Sequence, residues 1–147
     1  MWGLRLQATK LTRPQGTTLN TIIHTHKVLI VEDDESIREL VSACLDMAGI
    51  TTIEADNGSL EIDIISRFPK PQEELCAILL DMMLPTVNGL GVLAYLKGRG
   101  NPIPVIAMSA DRNLLAEAIK SDAHAAIAKP FDVHELLSIV TNQCQCK

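Results

Sequence analysis

Residues 27–34 of this 147-residue chain are Lys-Val-Leu-Ile-Val-Glu-Asp-Asp, a short aliphatic run that stops at three acids. A continuous apolar run of this length, rich in β-branched residues, is typical of a strand that is buried on both faces of a parallel sheet. The next segment, from Ile37 to Ala48, repeats apolar residues at helical spacing. Ser36 and Glu39 have the spacing of a capping box, and Gly49 marks the helix end. A buried strand followed by an amphipathic helix is therefore predicted.

The same alternation of strand and helix continues to the end of the chain. Further strands are predicted at Thr51–Glu54, Leu75–Leu80, Pro104–Met108 and Ala125–Ala128. Further helices are predicted at Asn57–Phe68, after a loop that contains Pro85 and Gly89, after a cap at Asp111, and from Asp132 with Glu135. The helix after the Gly89 loop is expected to run through Tyr95 and Leu96 and to end at Gly98-Arg99-Gly100. Strict alternation of this kind predicts an α/β fold in which helices cover both faces of a parallel sheet. Ligands of such folds bind at the carboxyl ends of the strands.

Composition and charge exclude several classes of function. Residues 1–26 carry three basic residues and no acid, so removing them from the net charge of −5 leaves −8 on residues 27–147. A domain this acidic is a poor partner for nucleic acid, and an aromatic content of 3% leaves few side chains for base stacking. The apolar runs are too short for membrane insertion. We expect a flexible N-terminal extension at 1–26, a single folded domain at 27–147, and a cytoplasmic location with reduced cysteines.

Polar residues follow the predicted strands where the fold is expected to place a site. Glu32 and Asp33 follow the first strand, Asp81 the third, Ser109 the fourth and Lys129 the fifth. Carboxylates that meet at one edge repel one another unless a cation neutralises them, and Mg²⁺ with its preference for oxygen ligands is suited to that role. A hydroxyl and an ammonium facing the ion would hold the oxygens of a phosphoryl group. The arrangement points to phosphoryl transfer.

Four short motifs and one glycine make the chain resemble a known family. They are Val31-Glu32-Asp33-Asp34, Leu80-Asp81-Met82-Met83-Leu84-Pro85 with Gly89, Met108-Ser109-Ala110, and Ala128-Lys129-Pro130-Phe131. In this order and over about residues 27–145 the chain resembles the receiver domain of the response regulators of two-component signalling systems. The resemblance implies a flavodoxin-like (βα)5 fold with five parallel strands in the order 2-1-3-4-5.

The resemblance also assigns a role to each site residue. It implies that Asp81 accepts a phosphoryl group from a phosphohistidine, that Ser109 donates a hydrogen bond to that group, and that Lys129 pairs with it, turned inward by a cis bond to Pro130. Mg²⁺, with Mn²⁺ as a substitute, would be held by Asp33, Asp81, the Met83 backbone carbonyl and, directly or through water, Glu32. The chain would then be a phosphoacceptor signalling domain rather than an enzyme that turns over an external substrate.

Two positions depart from the family pattern. Glu32 stands where Asp is common, and its longer side chain still reaches the ion or a bound water. Ala126, three residues before Lys129, stands where the family often has Tyr or Phe. The aromatic ring that turns inward on phosphorylation is therefore missing, so a signal has to leave through the backbone or the loops between the fourth strand and the last helix.

The resemblance implies a sensor histidine kinase or a histidine phosphotransfer protein as phosphodonor and an unidentified downstream protein as target. A homodimer through the last two helices and the fifth strand is a further option. With no output segment after Lys147, the expectation is a stand-alone receiver or a fragment of a longer protein. The alternatives are a phosphorylation-independent docking module with a vestigial pocket and an Asp-nucleophile phosphatase. The phosphatase class is disfavoured because Met83 stands where it would have its second Asp.

Overall fold

The computed structural model describes residues 27–56, 74–85 and 88–144. These residues form five strands and four helices in the order β1 (Lys27–Val31), α1 (Glu35–Met47), β2 (Thr51–Ala55), β3 (Leu75–Asp81), α2 (Gly89–Gly98), β4 (Val105–Ser109), α3 (Arg112–Lys120), β5 (Ala125–Ala128) and α4 (Val133–Gln143). The helix expected at 57–68 and the extension at 1–26 lie outside the described residues. Among the described helices, none combines the length and apolar character needed to cross a membrane.

The five strands form one parallel sheet in the order β2-β1-β3-β4-β5, which confirms the doubly wound, flavodoxin-like fold. All seven residues of the central strand β3 are buried. Because neighbouring strands are parallel, their carboxyl ends meet at one edge of the sheet. Asp81 lies beside Met108 there, and Ser109 lies beside Ala128.

The core consists of two apolar layers, one on each face of the sheet. Successive residues of β1 alternate between them, as expected for a strand: Leu29 and Val31 belong to the layer covered by α2 and α3, whereas Val28 and Ile30 belong to the layer covered by α1 and α4. The buried helix residues that complete the layers are Val92, Leu93, Leu96, Leu115 and Ala118 on the first face and Val41, Cys44, Leu45, Leu136 and Val140 on the second.

The start of α1 differs from the sequence prediction. Asp34, not Ser36, is the N-cap: its backbone is extended, and its carboxylate accepts a hydrogen bond from the Ile37 N–H at 3.1 Å. Ser36 lies inside the first turn. A carboxylate at the cap satisfies a free N–H and also interacts favourably with the positive end of the helix dipole. The predicted capping box of Ser36 and Glu39 is therefore wrong, and the helix begins two residues earlier.

Three other predicted helix boundaries among the described residues are confirmed. Asp111 caps α3, and Asp132 caps α4 by accepting a hydrogen bond from the Glu135 N–H at 2.7 Å. Gly49, after α1, has a φ of +82°, a conformation that glycine adopts without steric cost.

Candidate functional site

Five polar side chains meet at the carboxyl edge of the sheet. Glu32, Asp81 and Ser109 are buried, with 1%, 4% and 1% of their surface exposed. Lys129, just after β5, is half-buried, and Asp33 is exposed at the rim. Each follows or ends a different strand except the adjacent pair Glu32 and Asp33, so the parallel sheet brings together residues that are up to 97 positions apart.

The carboxylates of Glu32, Asp33 and Asp81 form a compact acidic cluster. One oxygen from each can be chosen such that all three lie within 4.8 Å of one another. Three hard oxygen donors at this spacing, two of them buried and one open to solvent, fit the ligand preference of Mg²⁺. The acidic pocket expected from the sequence is therefore present in the fold.

Lys129 links two of these carboxylates. Its Nζ donates to Glu32 Oε1 at 2.5 Å and to Asp81 Oδ2 at 3.3 Å. Burial lowers the pKa of this ammonium, but the hydrogen bond to Glu32 and the charge of Asp81 outweigh that effect and raise it. The peptide bond from Lys129 to Pro130 is cis, as the resemblance implied.

Glu32 is held in an unusual environment for a carboxylate. Burial, together with a hydrogen bond to Asp81, raises the pKa of Glu32 to about 7, while Lys129 and the backbone N–H of Asp34 oppose the shift. That N–H donates to Glu32 Oε2 at 3.2 Å. Each Glu32 oxygen therefore has a donor, and the side chain is fixed in place.

Backbone groups orient the other site residues. The Met83 N–H donates to Asp81 Oδ1 at 3.0 Å, which places the Met83 peptide against the carboxylate. Ser109 Oγ accepts from the Asp111 N–H at 3.0 Å, so its own hydrogen is available for donation. The Lys129 N–H donates to the Ser109 carbonyl at 2.9 Å and ties the ends of β4 and β5 together.

One residue near the site was missed by sequence reasoning. Arg38, on α1, donates from Nη1 to the Glu32 backbone carbonyl at 2.7 Å and from Nε to Glu54 Oε1 at 3.2 Å. A basic residue one turn into an amphipathic helix is typical of an ordinary solvent-facing position. No signal in the sequence shows that its side chain returns to the strand end.

Comparison with known proteins identifies the class. The chain matches the response regulator receiver domain family over residues 28–141, and it belongs to that family. Receiver domains are signalling domains of two-component systems that interact with histidine kinases or phosphotransfer proteins, and they generally bind Mg²⁺ at an acidic pocket.

Relatives support the same assignment. The chain is 33% identical over 116 residues to sporulation initiation phosphotransferase F of Bacillus subtilis, covering 78% of this chain and 90% of that protein. It is 34% identical over 119 residues to a probable transcriptional regulatory protein of Picosynechococcus, covering 76% of this chain but 46% of that protein. For an NtrX-like putative response regulator of Rickettsia conorii the identity is 35%, with 80% of this chain and 25% of that protein covered. The chain thus spans less than half of these two longer relatives.

A solved structure shows the same fold. The receiver domain of the Francisella response regulator 1452 superimposes with a TM-score of 0.73 at 27% identity, covering 81% of this chain and 96% of that chain.

Proposed function

We propose that Asp81 accepts a phosphoryl group from a phosphohistidine of a partner protein in a Mg²⁺-dependent reaction. The observation that carries the proposal is the burial of the Asp81 carboxylate at the end of β3, with Lys129 Nζ 3.3 Å from one oxygen and two more carboxylates beside it. Burying charged groups costs free energy, so a buried cluster of carboxylates and an ammonium is more typical of a functional site than of a core that serves stability alone.

The chemistry follows from the groups around Asp81. A carboxylate oxygen attacks phosphorus, the phosphorus–nitrogen bond of the donor breaks, and its electron pair stays with the imidazole. The Met83 N–H holds the other oxygen, so the carboxylate does not have to reorient. Lys129 offers its positive charge, and Ser109 its hydroxyl hydrogen, to the oxygens of the transferred group.

The residues suited to hold Mg²⁺ are Asp33, Asp81, the Met83 carbonyl and Glu32, the last directly or through water; Mn²⁺ would bind the same oxygen donors. When bound, the ion neutralises charge that develops on the phosphoryl oxygens. Glu32 already shares Lys129 with Asp81, so it also keeps the ammonium within reach of the acceptor.

A groove beside the pocket suits the phosphodonor partner. It has a volume of about 270 Å³ and is lined almost entirely by apolar surface between α1 and the segments that follow β4 and β5. The lining residues are Ile37, Leu40, Ala110, Lys129, Pro130 and Phe131. Leu40 is 56% exposed, and Lys129 belongs to both groove and pocket. A kinase or phosphotransfer domain that covered the groove would bring its histidine to Asp81.

The output is proposed to leave through the start of α3. Ser109 Oγ is bonded to the N–H of Asp111, and the Asp111 side chain caps that helix. Movement of Ser109 toward a phosphoryl group would therefore act on the cap directly. Ala126, paired with Ala107 in the sheet, offers no ring to rotate. We assign the downstream partner to the face formed by α3, β5 and α4. A second copy of this chain is the alternative occupant of that face. The proposal also places the protein in the cytoplasm.

Intact-mass spectrometry after incubation with acetyl phosphate tests the acceptor. We expect one added phosphoryl group with Mg²⁺, none in EDTA, and none for Asp81→Asn. The matched control is Asp122→Asn, an exposed acid paired with Lys97 on another part of the surface. It should be labelled like the parent chain. Labelling of Asp81→Asn, or no labelling of the parent beside a working receiver, would refute the proposal.

The second candidate function is a docking module that binds its partner whether or not Asp81 is phosphorylated. Ala126 favours this function, because it lacks the aromatic ring that would turn inward on phosphorylation. The two functions differ in a measurable way. If a partner binds the parent chain and Asp81→Asn with equal affinity, before and after acetyl phosphate, the docking function is supported instead.

A further inference from the structure

Arg38 connects helix α1 to the strand end that carries the acidic pocket. Its guanidinium makes two hydrogen bonds in different directions, to the Glu32 carbonyl at 2.7 Å and to Glu54 Oε1 on β2 at 3.2 Å. Only 17% of the side chain is exposed. The planar, forked donor group of arginine can satisfy both acceptors at once, which a lysine ammonium at this distance could not do equally well.

The peptide that Arg38 holds is the one that joins Glu32 to Asp33. The N–H of Glu32 donates to the Ala55 carbonyl of β2 at 3.1 Å, so the residue is anchored to the sheet on that side. The Glu32 carbonyl lies beyond the last residue of β1, and it accepts a hydrogen bond from Arg38. Rotation of this peptide would move the Asp33 carboxylate relative to the carboxylate of Asp81.

We propose that Arg38 is a positioning residue for the divalent-cation site, acting through the Glu32–Asp33 peptide. The proposal rests on the proposed function, in which Asp33 and Asp81 hold Mg²⁺. The positive charge of Arg38 by itself would weaken Mg²⁺ binding, because a cation near the pocket repels Mg²⁺. Glu54 offsets that charge through the bond to Nε. Removing the Arg38 side chain should therefore weaken Mg²⁺ binding if Arg38 acts by positioning the peptide, and should strengthen it if only the charge matters.

The test is a titration of the full chain with Mg²⁺, monitored through the amide chemical shifts. It measures the Mg²⁺ affinity without any phosphoryl transfer. Arg38→Ala should weaken Mg²⁺ binding about 10-fold, the effect typical of removing a group that orients a metal ligand. Arg38→Lys keeps the charge and can reach one acceptor, so it should recover part of the loss. The control Lys97→Ala removes a cation paired with Asp122 outside the pocket and should leave the affinity unchanged.

Unchanged or tighter Mg²⁺ binding by Arg38→Ala would overturn the proposal, even if that variant is less stable. The amide spectrum reports folding in the same experiment. If Arg38→Ala is not folded, Arg38→Met replaces it, because methionine removes both hydrogen bonds and keeps a long unbranched side chain on the helix. Unchanged Mg²⁺ affinity in Arg38→Met would overturn the proposal equally.

Phosphorylation by acetyl phosphate separates this inference from the proposed function. Arg38→Ala should be labelled slowly at low Mg²⁺ and at the parent rate once Mg²⁺ saturates the weakened site. If the parent binds Mg²⁺ but is never labelled, the phosphoacceptor function fails while the role of Arg38 is still decided by affinity. If the parent is labelled and Arg38→Ala stays slow at saturating Mg²⁺, Arg38 does not act through cation binding.

Discussion

Replacing Gly89 by alanine should damage the fold and the site together. Gly89 is the first residue of α2, and its N–H donates to the Met82 carbonyl at 3.0 Å. A Cβ at this position would lie 2.6 Å from the Met82 Cα and 2.6 Å from its Sδ. Met82 directly follows Asp81, so the contact is made with the backbone that carries the acceptor.

The magnitude follows from how far the atoms would have to move. Carbon atoms pack at about 3.5–4.0 Å, so about 1 Å of space has to be opened. The thioether can rotate away, but the Met82 Cα moves only with the backbone. Overpacking of this kind costs about 1–3 kcal/mol, and we expect Gly89→Ala to lower the free energy of unfolding by about 2 kcal/mol.

Gly98 provides the matched control on the same helix. A Cβ there would meet nothing within 4 Å. Alanine restricts the unfolded chain and favours the helix, so Gly98→Ala should raise the free energy of unfolding by about 0.5–1 kcal/mol. The two substitutions are chemically identical and should act in opposite directions.

Urea unfolding in EDTA measures both free energies, and acetyl phosphate labelling measures the site. Gly89→Ala should also be phosphorylated more slowly, because its clash displaces the segment after Asp81, whereas Gly98→Ala should be labelled at the parent rate. A Gly89→Ala variant as stable as Gly98→Ala would refute the steric argument. Lost stability with unchanged labelling would refute its extension to the acceptor.

Three further predictions concern single side chains. The pKa of Glu32 is raised from 4.5 in the unfolded chain to about 7 in the folded protein. Between these pH values the folded state keeps a proton on Glu32 that the unfolded state has lost, so the free energy of unfolding falls as the pH rises from 4.5 to 7. In EDTA, urea unfolding should therefore show the parent losing about 2–3 kcal/mol relative to Glu32→Gln between pH 5 and pH 8; parallel pH profiles would contradict this. Lys129→Met leaves two adjacent carboxylates without their ammonium, so the free energy of unfolding in EDTA should fall by up to about 3 kcal/mol. Mg²⁺ should restore part of that free energy. If Mg²⁺ restores none of it, charge is not the cause. Asp111→Ala removes the acceptor of two N–H groups at the start of α3 and should lower the unfolding free energy by about 1 kcal/mol in urea, whereas a larger loss would show that Asp111 does more than cap.

The amino-acid sequence by itself determined the order and type of the described elements. Apolar runs of strand length and helical spacing are local patterns, and they predicted each of the five strands to within one residue at either end and each of the four described helices in its place. They also predicted that Glu32, Asp33, Asp81, Ser109 and Lys129 lie together, because polar groups directly after buried strands of a parallel sheet have to meet at one edge.

Local pattern was less reliable where two acceptable caps compete. Ser36 and Asp34 both have side chains suited to an N-cap, and the choice depends on where the chain leaves β1. The strand ends at Val31, so the turn falls at Glu32 and Asp33 and leaves Asp34 in the extended conformation that a cap requires. That geometry belongs to the packed sheet and helix, not to the sequence of the helix.

Only the tertiary structure decided how the charges of the pocket are paired. The family resemblance predicts that Lys129 pairs with a phosphoryl group, and it says nothing of the partners that the fold shows for this ammonium, Glu32 and Asp81. Arg38 returns from α1 to the Glu32 carbonyl, a contact that depends on the angle between helix and strand. Burial and long-range pairing depend on distances between residues far apart in the chain, so the raised pKa of Glu32 and the second contact of Lys129 exist only once the sheet has assembled.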